Sequence, residues 1–143
     1  QALGMKVLAY DIYKVPELEC DCMRYVEMDE LLANSDIISL HVPSLPGQPL
    51  VSRDALAKMK DGVIIINTSR GTNVDEAALL EALDSGKVYG AGLDVFAEEP
   101  SKNEALYKHP RVSSTPHIGA STQEAQARIG VEIVDLISKA FNL

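Results

Sequence analysis

The chain has 143 residues, 46% of them hydrophobic, and a formal net charge of -8 at pH 7, which suits one globular core of ordinary domain size. That acidic balance argues against phosphate backbones and anionic lipid as partners, so neither nucleic acid nor membrane is expected. The longest unbroken apolar run, VIII in DGVIIIN, is far short of a membrane span, and no basic start leads into a long apolar core as a secretory signal would, so a cytoplasmic protein is expected.

In chain order, QALGMKVLAYD reads as the tail of a helix, Gly4, and a strand from Lys6 to Asp11 that closes on an acid. An acid at the tip of the second strand of a dinucleotide-binding unit grips the adenosine ribose, and a glycine-rich loop precedes it by about 20 residues. No G-x-G-x-x-G occurs in the sequence, so the first strand and its loop are expected to lie upstream of Gln1. Cys20 and Cys22 follow as C-x-C in an acidic loop, too close for comfortable mutual bridging and without a second cluster to complete a metal site; two unremarkable thiols are expected.

Next come a strand over Met23 to Val26 and a helix MDELLANS, with Asp29 after Met28 as the capping candidate. The strand from Asp36 to Val42 runs into the loop HVPSLPGQP. SRDALAKMK, opened by Ser52, is a helix, and the strand from Gly62 to Ser69 follows it. DEAALLEALDSG starts at Asp75 and stops at Gly86, a natural helix end. Strands over Tyr89 to Val95 and Arg111 to His117 follow. Ser121 and Glu124 then have capping-box spacing, and Ala125, Ile129, Ile133, Leu136 and Ala140 trace one face of a final helix over about 122–140. The alternation is that of an α/β fold. The continuous apolar runs VIII and DIISL suit parallel strands covered by helices on both faces.

Three polar side chains end or follow strands: Arg70 after VIIINTS, Glu99 shortly after GLDV, and His117 after VSSTP. A parallel sheet would bring all three to its carboxyl edge, where such folds bind ligands. Arginine offers a permanently charged fork for a carboxylate, and histidine exchanges protons near neutral pH. A carboxylate beside that imidazole would favour its protonated form and hold its orientation. Singly, each residue reads as an ordinary turn or surface group; in register they form a clamp, a proton shuttle and an orienter. His41 is a minor candidate for lining a cofactor pocket, and His109 reads as ordinary loop.

NTSRGTNVDEAALLEAL, GAGLDVFAEEP and TPHIGASTQEAQ together resemble the D-isomer-specific 2-hydroxyacid dehydrogenases, over about Gly4 to Leu136, with a flavour closest to the 3-phosphoglycerate dehydrogenases of serine biosynthesis. The resemblance implies a doubly wound parallel sheet of Rossmann type that binds NAD and moves a hydride to or from a 2-hydroxy acid. It implies that Arg70 binds the substrate carboxylate and that Glu99 pairs with His117, the acid/base. It also implies that Asp11 takes the ribose hydroxyls and that Val42 touches the adenosine side by its backbone. Thr68, Ser69 and Arg70 would lie along the nicotinamide end, and Asp94 with His117, Ile118, Gly119 and Ala120 would surround the carboxamide. No metal is implied. Asp11 would repel a 2′-phosphate, and neither Ile12 nor Tyr13 could receive one, so NAD is expected over NADP.

Residues 1–143 thus read as a partial NAD-binding domain without its substrate domain, homo-oligomeric when full length and poorly folded alone, since the strand order 3-2-1-4-5-6 would lose its central member. The competing expectations are a glyoxylate or hydroxypyruvate reductase of the same family, a non-catalytic NAD-sensing protein resembling the corepressors built on this scaffold, and, more weakly, a formate dehydrogenase relative.

Overall fold

Six short strands and five α-helices alternate through the computed structural model, which describes residues 2–44 and 46–142. Gln1 at the head of the expected helix tail, Leu45 within HVPSLPGQP, and Leu143 lie outside the described residues. β1 (Val7–Ala9) and β2 (Met23–Tyr25) pair in parallel, with Val7 opposite Met23 and Ala9 opposite Tyr25. β3 (Ile37–Leu40), β4 (Val63–Asn67), β5 (Val88–Leu93) and β6 (Val112–Ser114) form a second parallel sheet in that order. Among the described residues no ladder joins the two sheets.

Each strand is shorter than the span expected from the sequence, because the last residues of that span leave the ladder and enter the turns at the carboxyl edge. Thr115 keeps a backbone bond to the Leu93 carbonyl at 2.9 Å, but the chain then swings outward and His117 takes φ +57°.

α1 (Met28–Asn34) begins at Glu27, which makes no side-chain capping bond; Asp29 lies in the first turn, where it pairs with Lys58 at 2.6 Å rather than capping the helix. α2 (Arg53–Lys58) is capped by Ser52, whose Oγ accepts the Ala55 N–H, and α3 (Glu76–Ser85) by Asp75, which accepts from Ala78. α3 stops at Gly86, whose φ of +82° is a left-handed conformation that glycine reaches without steric cost. A short α4 (Glu104–Tyr107), unforeseen in the sequence, rests on the cap Asn103. α5 (Gln123–Phe141) is capped by Thr122, which accepts the Ala125 N–H at 3.1 Å, in place of the expected Ser121–Glu124 box.

The core lies on one face of the four-stranded sheet. Ile38, Leu40, Val63, Ile65 and Leu93 pack there with Leu32 of α1, Leu56 of α2, Leu79 and Leu83 of α3 and Leu106 of α4. The opposite face is a shallow hollow bordered by Ile64, Ile66, Gly90, Gly92 and Val112. Helices thus cover one face among the described residues, where the continuous apolar runs suggested two. None of the residues of α5 is buried.

Candidate active site

The site is built where β4, β5 and β6 end side by side. β4 closes on Asn67, almost fully buried, whose Oδ1 accepts from the Ser69 N–H (3.1 Å) and hydroxyl (2.9 Å) while its Nδ2 donates to the Arg70 carbonyl (2.9 Å). Asn73, equally buried, donates through Nδ2 to Ser69 Oγ and to the Val42 carbonyl at 3.0 Å, tying the end of β3 to the same turn. Two buried amides that bridge the turn through five hydrogen bonds make a stiff support. It leaves Thr68 and Arg70 exposed at the edge, with Arg70 Nη1 resting on the Ser69 carbonyl at 2.6 Å. Ser69 itself turns inward, so of the three residues expected at the nicotinamide end only Thr68 and Arg70 present side chains outward.

Gly71 explains how the segment after β5 reaches this turn. A Cβ there would fall 1.9 Å from the carbonyl carbon and oxygen of Phe96, so the contact requires a residue without a side chain. Glu76, in the first turn of α3, then holds the same segment: one oxygen accepts the Ala97 N–H at 2.8 Å and the other accepts from Asn103 Nδ2 at 2.9 Å.

The segment so placed carries Glu99. Its Oε1 accepts the Phe96 N–H at 3.1 Å, and its Oε2 lies 2.7 Å from Nδ1 of His117, both side chains being partly open to solvent. The bond to His117, supported by the Phe96 N–H, holds the Glu99 carboxyl below the usual carboxylate range. With Glu99 ionised, Nδ1 carries the proton it donates, and Nε2 is the ring nitrogen left for another partner.

Asp94 fixes the turn that bears His117. Its Oδ1 accepts from the Thr115 hydroxyl (2.5 Å) and the Ile118 N–H (2.9 Å), and its Oδ2 from the Gly119 N–H (2.9 Å). Burial opposes this charge, but the three hydrogen bonds outweigh it and the carboxyl lies below its ordinary value. Asp94 therefore engages the turn it organises through both carboxylate oxygens. The turn presents the His117 ring and the half-exposed Ile118 side chain, and the Ala120 carbonyl takes Gln126 Nε2 at 2.8 Å.

Asp11 stands apart from this cluster, exposed beyond β1 in the other sheet, with Oδ1 accepting the Tyr13 N–H at 2.8 Å. An outward carboxylate at a strand tip fits a ribose diol, and an exposed guanidinium on the same sheet edge as an orienting Glu–His pair fits the reacting end of a cofactor-dependent hydroxy-acid site, so the residues present suit a dinucleotide. His41 bonds to Ser39 Oγ at 2.8 Å, and His109 contacts Asp84 and accepts the Arg111 N–H; neither joins the cluster. Among the described residues no group of three His, Cys, Asp or Glu is placed to hold a metal. The residues missed in the sequence are Asn67, Asn73, Gly71, Glu76 and Thr115. An amide ending the apolar run VIIIN was a readable signal for Asn67; the others show only once two loops meet.

A sequence profile of the D-isomer specific 2-hydroxyacid dehydrogenase NAD binding domain matches residues 1–119. A hydroxypyruvate reductase from Thermotoga maritima is 51% identical over 99% of the chain, which spans 47% of that relative. A D-3-phosphoglycerate dehydrogenase from Mycobacterium leprae is 45% identical over 97% of the chain, which spans 27% of it. Among solved structures, a glyoxylate reductase from Paecilomyes thermophila matches with a TM-score of 0.86 and 44% identity, over 96% of this chain and 42% of its own. A D-lactate dehydrogenase from Aquifex aeolicus, complexed with NAD and lactic acid, matches with 0.84 and 39%, over 98% of this chain and 47% of its own. The chain thus spans less than half of the relatives it matches.

Proposed function

The chain belongs to the D-isomer specific 2-hydroxyacid dehydrogenase family, as an NAD-binding domain, and from that premise we propose that it serves an enzyme interconverting a D-2-hydroxy acid and its 2-oxo acid. The observation that carries this reading is the 2.7 Å pairing of Glu99 with His117 on the same sheet edge as an exposed arginine.

NAD, when bound, supplies the acceptor or donor of the hydride. In the oxidative direction His117 takes the proton of the substrate hydroxyl on Nε2, and in reduction it begins doubly protonated and returns that proton to the carbonyl oxygen. Glu99 accepts the Nδ1–H throughout, which sets the tautomer and offsets the positive charge on the ring. Arg70 holds the substrate carboxylate by its planar fork, a contribution of positioning rather than of bond-making. Asp11 receives the adenosine ribose. Asn67, Asn73, Asp94 and Thr115 act through the turns they brace.

For the substrate, the names of the relatives support small 2-oxo acids such as hydroxypyruvate and glyoxylate as well as the 3-phosphoglycerate pair. The test is NADH oxidation by the full-length protein with hydroxypyruvate, glyoxylate and 3-phosphohydroxypyruvate, for the parent and for His117→Ala. Turnover by the parent with at least one of the three is expected, with kcat lowered by about 100-fold or more in the variant and NADH binding retained. Equal turnover in parent and variant would remove His117 from the chemistry.

A further inference from the structure

The C-x-C pair that the sequence left as two ordinary thiols is brought into contact by the fold. Cys20 and Met23 exchange both backbone bonds, Cys20 N–H to the Met23 carbonyl and Met23 N–H to the Cys20 carbonyl, each at 3.0 Å, so Asp21 and Cys22 form the tip of a two-residue hairpin. The two sulphurs lie 2.9 Å apart as thiols. In an extended C-x-C the Cα atoms sit near the upper end of the roughly 4.4–6.8 Å that a disulfide spans, which makes bridging awkward; a tight turn shortens that distance and swings both side chains to one side. Cys20 is exposed and Cys22 partly so. An accessible thiol beside a second that can resolve it is the arrangement of a redox-responsive site.

We propose that Cys20 and Cys22 form a reversible dithiol–disulfide site that exchanges with small disulfides. The Cys20 thiolate attacks one sulphur of R–S–S–R, forming a mixed disulfide and expelling one RS⁻. The Cys22 thiolate then attacks Cys20 Sγ, closing the ring and expelling the second RS⁻. The two departing thiolates take up the two protons that the cysteines gave up, so the protein is oxidised by two electrons and the reagent reduced by two. Contact between the sulphurs makes the second step intramolecular and fast relative to loss of the adduct. Glu17, Glu19 and Asp21 make the loop negative, so an uncharged disulfide is the suitable reagent. The Cys22 carbonyl also accepts the Val7 N–H at 2.7 Å, where β1 begins. Ring closure therefore stiffens the entry to the sheet whose other end leads to Asp11.

The test treats the full-length protein with bis(2-hydroxyethyl) disulfide, alkylates the remaining thiols after quenching, and reads the tryptic peptide of residues 15–24, which Lys14 and Arg24 bound and which contains both cysteines. The expected product is that peptide short of two hydrogens, without adduct or alkyl group, and restored by dithiothreitol. Cys22→Ser should instead retain a mercaptoethanol adduct on Cys20, the trapped intermediate. The ring should close about tenfold faster in native protein than in urea, because the turn has already brought the sulphurs together. Two persistent adducts, continued alkylation of both thiols, disulfide-linked dimers, or equal closure rates in urea would each overturn the proposal.

Discussion

At the scale of single residues, the site depends on groups that brace its turns. Asp94 holds the His117 turn through three hydrogen bonds and Gly71 lets two loops touch. Since the folded-state carboxyl of Asp94 is lowered, its contribution to stability is fully present above the ordinary carboxylate value and lost as pH falls through the lower folded value. Asp94→Asn removes the charge and turns an amide toward donors, so at pH 7 it should destabilise the full-length protein by about 1–3 kcal/mol. In urea unfolding, the gap from the parent should narrow at about pH 3, below the ordinary carboxylate value. A gap independent of pH would contradict the assignment. Gly71→Ala forces a methyl against the Phe96 carbonyl and should cost about 3 kcal/mol in the same assay, with Glu99 drawn away from His117. The outward-facing residues were legible because an arginine, a glutamate and a histidine at strand ends announce their chemistry. Asn73, Glu76 and Thr115 were not, because they act by bridging segments far apart in the chain.

At the scale of elements, strand positions were readable from apolar runs and helix starts from Ser52 and Asp75, since these caps work through a local bond to the N–H three residues on. The start of α5 was misplaced because Ser121 and Thr122 are adjacent hydroxyl residues, and only the backbone decides which points at Ala125. Thr122→Ala should therefore cost about 1 kcal/mol and lower the melting temperature, while Ser121→Ala should leave it nearly unchanged. The reverse order in thermal unfolding would restore the capping box. α4 escaped notice because four residues are too few to establish a period. The strand ends were overestimated because a residue that has just left a ladder can be as apolar as one within it.

At the scale of the whole molecule, the described surface is large for the mass. Folded monomers of 15.5 kDa expose about 7,200 Å² by the usual scaling, against 9742 Å² here. The excess has the size of a permanent interface, and much of it is apolar: Tyr89 beside the uncovered sheet face, and Val131, Val134, Leu136 and Phe141 along α5. Residues 1–143 expressed alone should bind a hydrophobic dye, self-associate and melt without a sharp transition; a monomer with a cooperative melt would show that this surface tolerates water. The sequence by itself determined the α/β class, the family and the cofactor, because periodicity and motifs are local properties. Only the tertiary structure decided that Asp94 braces the His117 turn, that Gly71 admits Phe96, that one sheet face lies uncovered among the described residues and that two sulphurs touch. Each of these depends on the path the backbone takes between residues, which packing and hydrogen bonding set once the chain has folded.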